Sequence, residues 1–149
     1  MKSYFKPNNI SKYDGDPTKI IYRSSWELAV MDYCDKSSKV ISWSSESVVI
    51  PYLCATDKRL HRYYMDFKIT YDTGQTYLVE VKPKSQVKKP RKRSKITKGY
   101  INEVTAWVKN QSKWKAAQQY AEERKWKFVI WTEEQIEQLG YAILKKSHK

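Results

Sequence analysis

The chain has 149 residues, 40% hydrophobic and 30% charged, enough for one buried core. No apolar run is long enough for a membrane-spanning helix, and Met1 is not followed by the apolar stretch of a secretory signal. The net charge of +13, from 29 Lys and Arg against 16 Asp and Glu, calls for a polyanionic partner, and nucleic acid fits better than an anionic membrane.

Residues 1–22 mix aromatics with Pro7, Asn8, Asn9, Gly15 and Pro17, which predicts an irregular arm wrapped on the domain, with some strand at Ile20–Tyr22. A domain over 23–149 follows. Ser24 opens a helix to about Asp35, with Trp26, Ala29, Val30 and Tyr33 on one stripe and Glu27 completing a capping box. Val40–Ser44 and Ser47–Tyr52 are β-rich. Arg62–Tyr71 and Thr76–Lys82 predict two long strands, joined through Asp72–Thr73–Gly74–Gln75 into an antiparallel hairpin.

The character changes after Lys82. Nine basic residues fall between Lys82 and Lys98, with no acid between Glu80 and Glu103, and Pro83 and Pro90 predict a mobile basic loop over 83–98. Two helices are expected next, Tyr100–Lys109 and Ser112–Arg124, the second burying Trp114, Ala117 and Ala121 while Lys113 or Lys115 turns elsewhere. A strand at Trp126–Trp131 and a short helix follow, the helix capped by Thr132 and Gln135 and ended by Gly140. The order implies a single α/β (α+β) domain with a mixed sheet, flanked by C-terminal helices.

Cys34 and Cys54 do not form a CxxC pair, and His61 and His148 stand apart, so no zinc site is expected and two reduced thiols in an intracellular protein are. The chemistry concentrates in the hairpin. Tyr63, Met65, Phe67 and Ile69 alternate to one side of the first strand, and Tyr77, Val79 and Val81 to one side of the second. If both sets face one core, Asp66, Glu80 and Lys82 share the opposite face. Two neighbouring carboxylates repel, and a divalent cation resolves the repulsion. Such an ion activates water and polarises a phosphate, while an adjacent lysine holds the water. The acid-x-Lys triplet occurs three times, at Asp66–Lys68, Glu80–Lys82 and Glu123–Lys125, but only Glu80–Lys82 follows a strand aspartate across a hairpin. An exposed strand of alternating charge would give the same pattern.

Asp66 in Tyr64–Met65–Asp66, followed by Glu80–Val81–Lys82 and preceded by a helix carrying Glu27, resembles the PD-(D/E)xK nuclease superfamily, with Met65 where the proline would stand. Over nearly the whole chain it is similar to the head-completion nuclease family of T-even-type tailed phages. The likeness runs through Asn9–Ile10–Ser11–Lys12–Tyr13, Gly15–Asp16–Pro17, Tyr22–Arg23–Ser24 and Lys113–Trp114–Lys115–Ala116–Ala117–Gln118. TnsA-type endonucleases are more distant relatives by motif.

The resemblance implies a restriction-endonuclease-like fold and an Mg²⁺-dependent deoxyribonuclease, an endonuclease with exonuclease action also open, in which Mn²⁺ substitutes. It would trim or cut packaged DNA in the host cytoplasm so that a filled head joins its tail, with head or portal proteins as partners, and retention in the virion is open. Asp66 and Glu80 would bind the metal, with the Val81 carbonyl and Glu27 as further ligands, and Lys82 would serve the attacking water. Glu27 has helix capping as a rival role. Arg23, Lys84, Lys88, Lys89, Arg91, Lys92, Arg93, Lys115 and Gln118 are the candidates for contacting DNA, the basic loop foremost, by gripping phosphates rather than reading bases. A non-catalytic DNA-binding plug and a ribonuclease are the competing readings.

Overall fold

The computed structural model describes residues 3–140. Its centre is a four-stranded sheet of β3 (Val40–Ser45), β6 (Phe67–Tyr71), β7 (Thr76–Val81) and β8 (Lys127–Trp131), in that spatial order. β3, β6 and β7 are antiparallel neighbours, and β8 closes the sheet parallel to β7. Two smaller ribbons flank it: β1 (Ser3–Tyr4) with β2 (Ile21–Tyr22), and the hairpin β4 (Val49–Cys54) with β5 (Arg59–Tyr64).

Helix α1 (Ser25–Lys36) forms where the capping chemistry predicts. Ser24 accepts the Glu27 N–H at 3.1 Å, and Trp26, Ala29, Val30, Met31 and Cys34 are buried. The arm 1–22 contains a 3-10 turn at Ile10–Lys12 and is tied to the end of α1, because the Asn8 and Asn9 amides both donate to the Asp35 carboxylate at 2.9 Å. Gly74 adopts a φ of 89° in the β6–β7 turn, the left-handed conformation expected of it there. At the C-terminal end, Thr132 and Gln135 form the capping box of α4 (Glu133–Gln138). Residues 141–149, including His148 and the end of the expected domain, lie outside the described residues.

Three elements differ from those expected. Arg62–Tyr71 is not one strand, because β5 ends at Tyr64 and β6 starts at Phe67. Between them the Met65 amide donates to the Val48 carbonyl and the Asp66 carbonyl accepts from the Glu46 amide, so the chain leaves one ribbon and enters another sheet. The two helices after the basic segment are a single α3 (Lys98–Glu123), since no glycine or proline interrupts 100–124. The segment 83–98 is not wholly irregular either. It includes a one-turn helix α2 (Lys84–Val87) and lies along the first half of α3, with Lys89 over the Trp107 ring and Arg93 3.2 Å from Glu103.

The sheet is buried on both faces. Against α1, Phe67, Ile69 and Val79 pack with Val30, Met31 and Trp43. Against α3, Tyr63, Met65 and Leu78 pack with Trp114, Ala117 and Ala121. Burying each large apolar side chain contributes about 1.5–3 kcal/mol. The single-core premise of the face count is therefore overturned: Tyr63 and Met65 belong to one core, and Phe67 and Ile69 to the other.

Candidate active site

Alternation along β7 sends Tyr77, Val79 and Val81 toward α1, and Leu78 and Glu80 toward α3. Glu80 is only 6% exposed, a carboxylate set inside an apolar layer. Such a group needs partners. The Tyr63 hydroxyl donates to Glu80 Oε1 at 2.5 Å, and Lys82 Nζ lies 3.5 Å from Oε2. Burial pushes the Tyr63 hydroxyl pKa up, the Glu80 charge and the bond to it pushing the same way. Tyr63 is thus a neutral donor held on Glu80.

The break between β5 and β6 delivers Asp66. The β6–β7 register pairs Phe67 with Val79, and one further step sets Asp66 opposite Glu80. Asp66 Oδ2 accepts the Val81 N–H at 2.8 Å, which anchors the carboxylate across the ends of the two strands. Some of its surface stays open, yet burial is the first cause of a pKa raised well above the usual carboxylate value. The Glu80 charge comes next, and Glu27 adds to the rise, while the Val81 N–H and Lys82 oppose it. Asp66, Glu80, Glu27 and Lys82 therefore share one electrostatic neighbourhood. Three anionic groups around one partly open point suit a hard divalent cation, which takes carboxylate oxygens and keeps several waters.

Glu27 does cap its helix, with Oε1 accepting the Arg23 amide at 2.9 Å, one residue before the cap itself. That hydrogen bond and the influence on Asp66 coexist. Val81, as the last residue of β7, stands between Glu80 and Lys82 and meets the site through its amide.

Helix α3 adds a residue that sequence spacing does not single out. Lys113 is half-buried, with Nζ 5.3 Å from the Tyr63 ring centre. Burial lowers its pKa, and it feels the charges of Glu80, Lys82 and Asp66. Lys115 and Gln118 are not brought to the acids. Lys115 is exposed beside Pro51–Ala55 and Ser112, and Gln118 donates to Glu122 on the outer face of α3. No sequence signal distinguishes Lys113 from Lys115, because both flank the buried Trp114. Alternation makes Tyr63 a core residue, and only the folded register shows its hydroxyl on Glu80.

Among the other basic candidates, Arg23 pairs with Glu46 at 2.6 Å and Lys84 with Glu134 at 2.7 Å. Lys88, Lys89, Arg91, Lys92 and Arg93 are all exposed along 83–98.

Two comparisons bear on this geometry. Residues 37–133 match the model of the family described as TnsA-like endonuclease N terminal, a span that contains Asp66, Glu80, Lys82 and Lys113. The head completion nuclease of Enterobacteria phage T4 is 44% identical over 139 residues, covering 91% of this chain and 93% of that protein. The chain therefore belongs to the phage head completion nucleases, and its central domain is that of a TnsA-like endonuclease.

Proposed function

We propose that this nuclease hydrolyses DNA phosphodiesters with Mg²⁺ held by Asp66 and Glu80, and that Mn²⁺ can replace it. The observation that carries the reading is the apposition of those two carboxylates at the ends of β6 and β7, with Lys82 3.5 Å from Glu80. Burial and mutual repulsion raise the proton affinity of Asp66. A cation that supplies positive charge there relieves the same repulsion. Glu27, whose charge reaches Asp66, and the Val81 carbonyl would be the further ligands. When bound, the ion supplies Lewis acidity toward a phosphate oxygen and a water of lowered pKa.

The protein side chains do the rest. Tyr63 and the Val81 amide fix one oxygen of each carboxylate, so the ligand set is oriented before DNA arrives. Lys82 orients the attacking water on the side of Glu80. Lys113, approaching from α3, offsets the negative charge that grows on the phosphate oxygens. The exposed cations of 83–98 hold the DNA backbone, while Arg23 and Lys84 reach it after exchanging their carboxylate partners for phosphates. The likeness to a head completion nuclease supports action on DNA at the filled head, in contact with head or portal proteins in the host cytoplasm. Among the described residues no helix is long and apolar enough to cross a membrane.

The experiment is a plasmid-nicking assay with Mg²⁺ titrated into wild type, Asp66→Ala and Glu80→Ala, repeated on linear DNA ends and on RNA. Activity that requires metal and is absent from both variants supports the reading. Equal nicking by all three removes it, and binding without cutting would favour a DNA plug. Neutralising Lys88, Lys89, Arg91, Lys92 and Arg93 should flatten the slope of log binding constant against log salt by about 0.9 for each phosphate no longer neutralised. An unchanged slope would place the DNA grip elsewhere.

A further inference from the structure

The tip of the β4–β5 hairpin gathers three side chains from eight consecutive residues, 54–61. Cys54 ends β4, Asp57 sits in the turn and His61 lies on β5, and one ligand atom from each falls within 4.8 Å of the other two. The hairpin register explains how. Tyr52 pairs with His61 and Cys54 with Arg59, so Cys54 and His61 point to the same side of the ribbon. The turn is tight: the Lys58 amide donates to the Cys54 carbonyl at 2.7 Å, and Lys58 adopts a φ of 58°. That conformation folds Asp57 back over the strand ends.

We propose that Cys54, Asp57 and His61 form a second metal site, separate from the acid pair, for a zinc-class divalent cation with water as the fourth ligand. Thiolate, imidazole and carboxylate are borderline-soft donors that select zinc or cobalt over magnesium. Tetrahedral bonds of about 2.1 Å to nitrogen and oxygen and about 2.3 Å to sulfur put donor atoms roughly 3.4–3.6 Å apart. His61 Nε2 and Asp57 Oδ2 now lie 2.8 Å apart, so a small rotamer opening admits the ion between them.

Supporting contacts resemble those that orient ligands at metal sites. The Arg59 amide holds Asp57 Oδ1 at 3.0 Å, Thr56 Oγ1 lies 3.0 Å from Cys54 Sγ, and the Tyr52 ring stacks on His61 at 5.6 Å. The ribbon also leads back to the nuclease centre, because Tyr52 edges onto Tyr63 at 6.3 Å and Tyr63 holds Glu80. A bound ion would clip the hairpin that presents Tyr63.

Cobalt tests the site by its spectrum. Full-length protein, with Mg²⁺ in excess, is titrated with Co²⁺ and followed for tetrahedral d–d bands and a thiolate-to-cobalt charge-transfer band. One equivalent should produce both in wild type, in Cys34→Ser and in Glu80→Gln, and Cys54→Ser should abolish the charge transfer. Because Cys54 is buried, His61→Ala and Asp57→Asn provide a check outside the core, and each should weaken Co²⁺ binding by about tenfold or more. Zn²⁺ at about a hundredfold excess over its Kd should raise the Tm of wild type by roughly 5–10 °C and leave Cys54→Ser unmoved. No charge-transfer band at one equivalent overturns the site, as does a band that survives Cys54→Ser or unchanged affinity in His61→Ala. None of these readouts depends on nuclease activity, so failure here would leave the Mg²⁺ reading of Asp66 and Glu80 standing.

Discussion

The two faces of the central sheet are both buried, and they are buried differently. On the α1 side, Phe67, Ile69 and Val79 meet Val30, Met31 and Trp43, and the buried carboxylate there, Asp35, lies at the far end of α1, where the Asn8 and Asn9 amides donate to it. On the α3 side, Leu78 packs against Ala117 and Ala121, but two residues further along β7 the layer gives way to Glu80, with the Tyr63 hydroxyl and Lys113 beside it. A buried charge survives only where hydrogen bonds and opposite charges compensate its desolvation. The first face therefore supplies stability. The second gives up some of it at its end, where Glu80 is buried beside Asp66.

The largest expected effect separates the faces outright. Glu80→Gln keeps shape and burial, and should lower DNA cleavage by about 10³-fold or more with little change in Tm. Phe67→Ala, on the opposite face, should cost about 3–5 kcal/mol in denaturant unfolding while the folded fraction still cuts. If Phe67→Ala and Glu80→Gln both act through stability, the contrast between the faces is wrong. Next, Lys113→Ala should lower kcat by about 10²-fold with the KM for DNA little altered, whereas Lys115→Ala should be near wild type. Equal losses from the two lysines would mean that α3 contributes charge without position.

A subtler effect follows from the raised pKa of Asp66. Its proton is bound more tightly in the folded state than in the unfolded chain, so protonation favours folding. That stability is fully present below the unfolded carboxylate value, and it is lost as pH rises through the folded one. In EDTA, wild type should therefore lose Tm across this window relative to Asp66→Asn, and Mg²⁺ should restore it in wild type alone. Parallel Tm curves for the two proteins would show that Asp66 carries no such penalty. The smallest effect belongs to the apolar side: Ser24→Ala should cost about 1 kcal/mol by removing the α1 cap, measured by urea unfolding.

Much of this molecule is legible from local chemistry. Helix α1 and its cap, the Gly74 turn, β8 and the Thr132–Gln135 box all depend on residues within a few positions of each other. So does the β6–β7 hairpin, although the count that set Asp66 diagonally across from Glu80 ran along a strand that the structure breaks at Met65–Asp66. The face assignment is not legible, because alternation from Tyr63 to Ile69 continues smoothly in the sequence while the backbone changes sheets at Met65–Asp66. Lys113 and Lys115 are indistinguishable in sequence, since each is one residue from Trp114 and only the rotation of α3 against the sheet separates them. Cys54, Asp57 and His61 look unrelated for a similar reason: their spacing matches no common ligand motif, and a turn with positive φ at Lys58 brings them together.

By itself, then, the sequence determined the elements, their caps and turns, and the residue types available for phosphodiester chemistry, because those follow from short-range sterics and hydrogen bonding. Tertiary structure alone decided which face each element buries and which charges meet across it. Those outcomes depend on how two cores share one sheet, and residues far apart in the chain set the desolvation and the fields that each carboxylate feels.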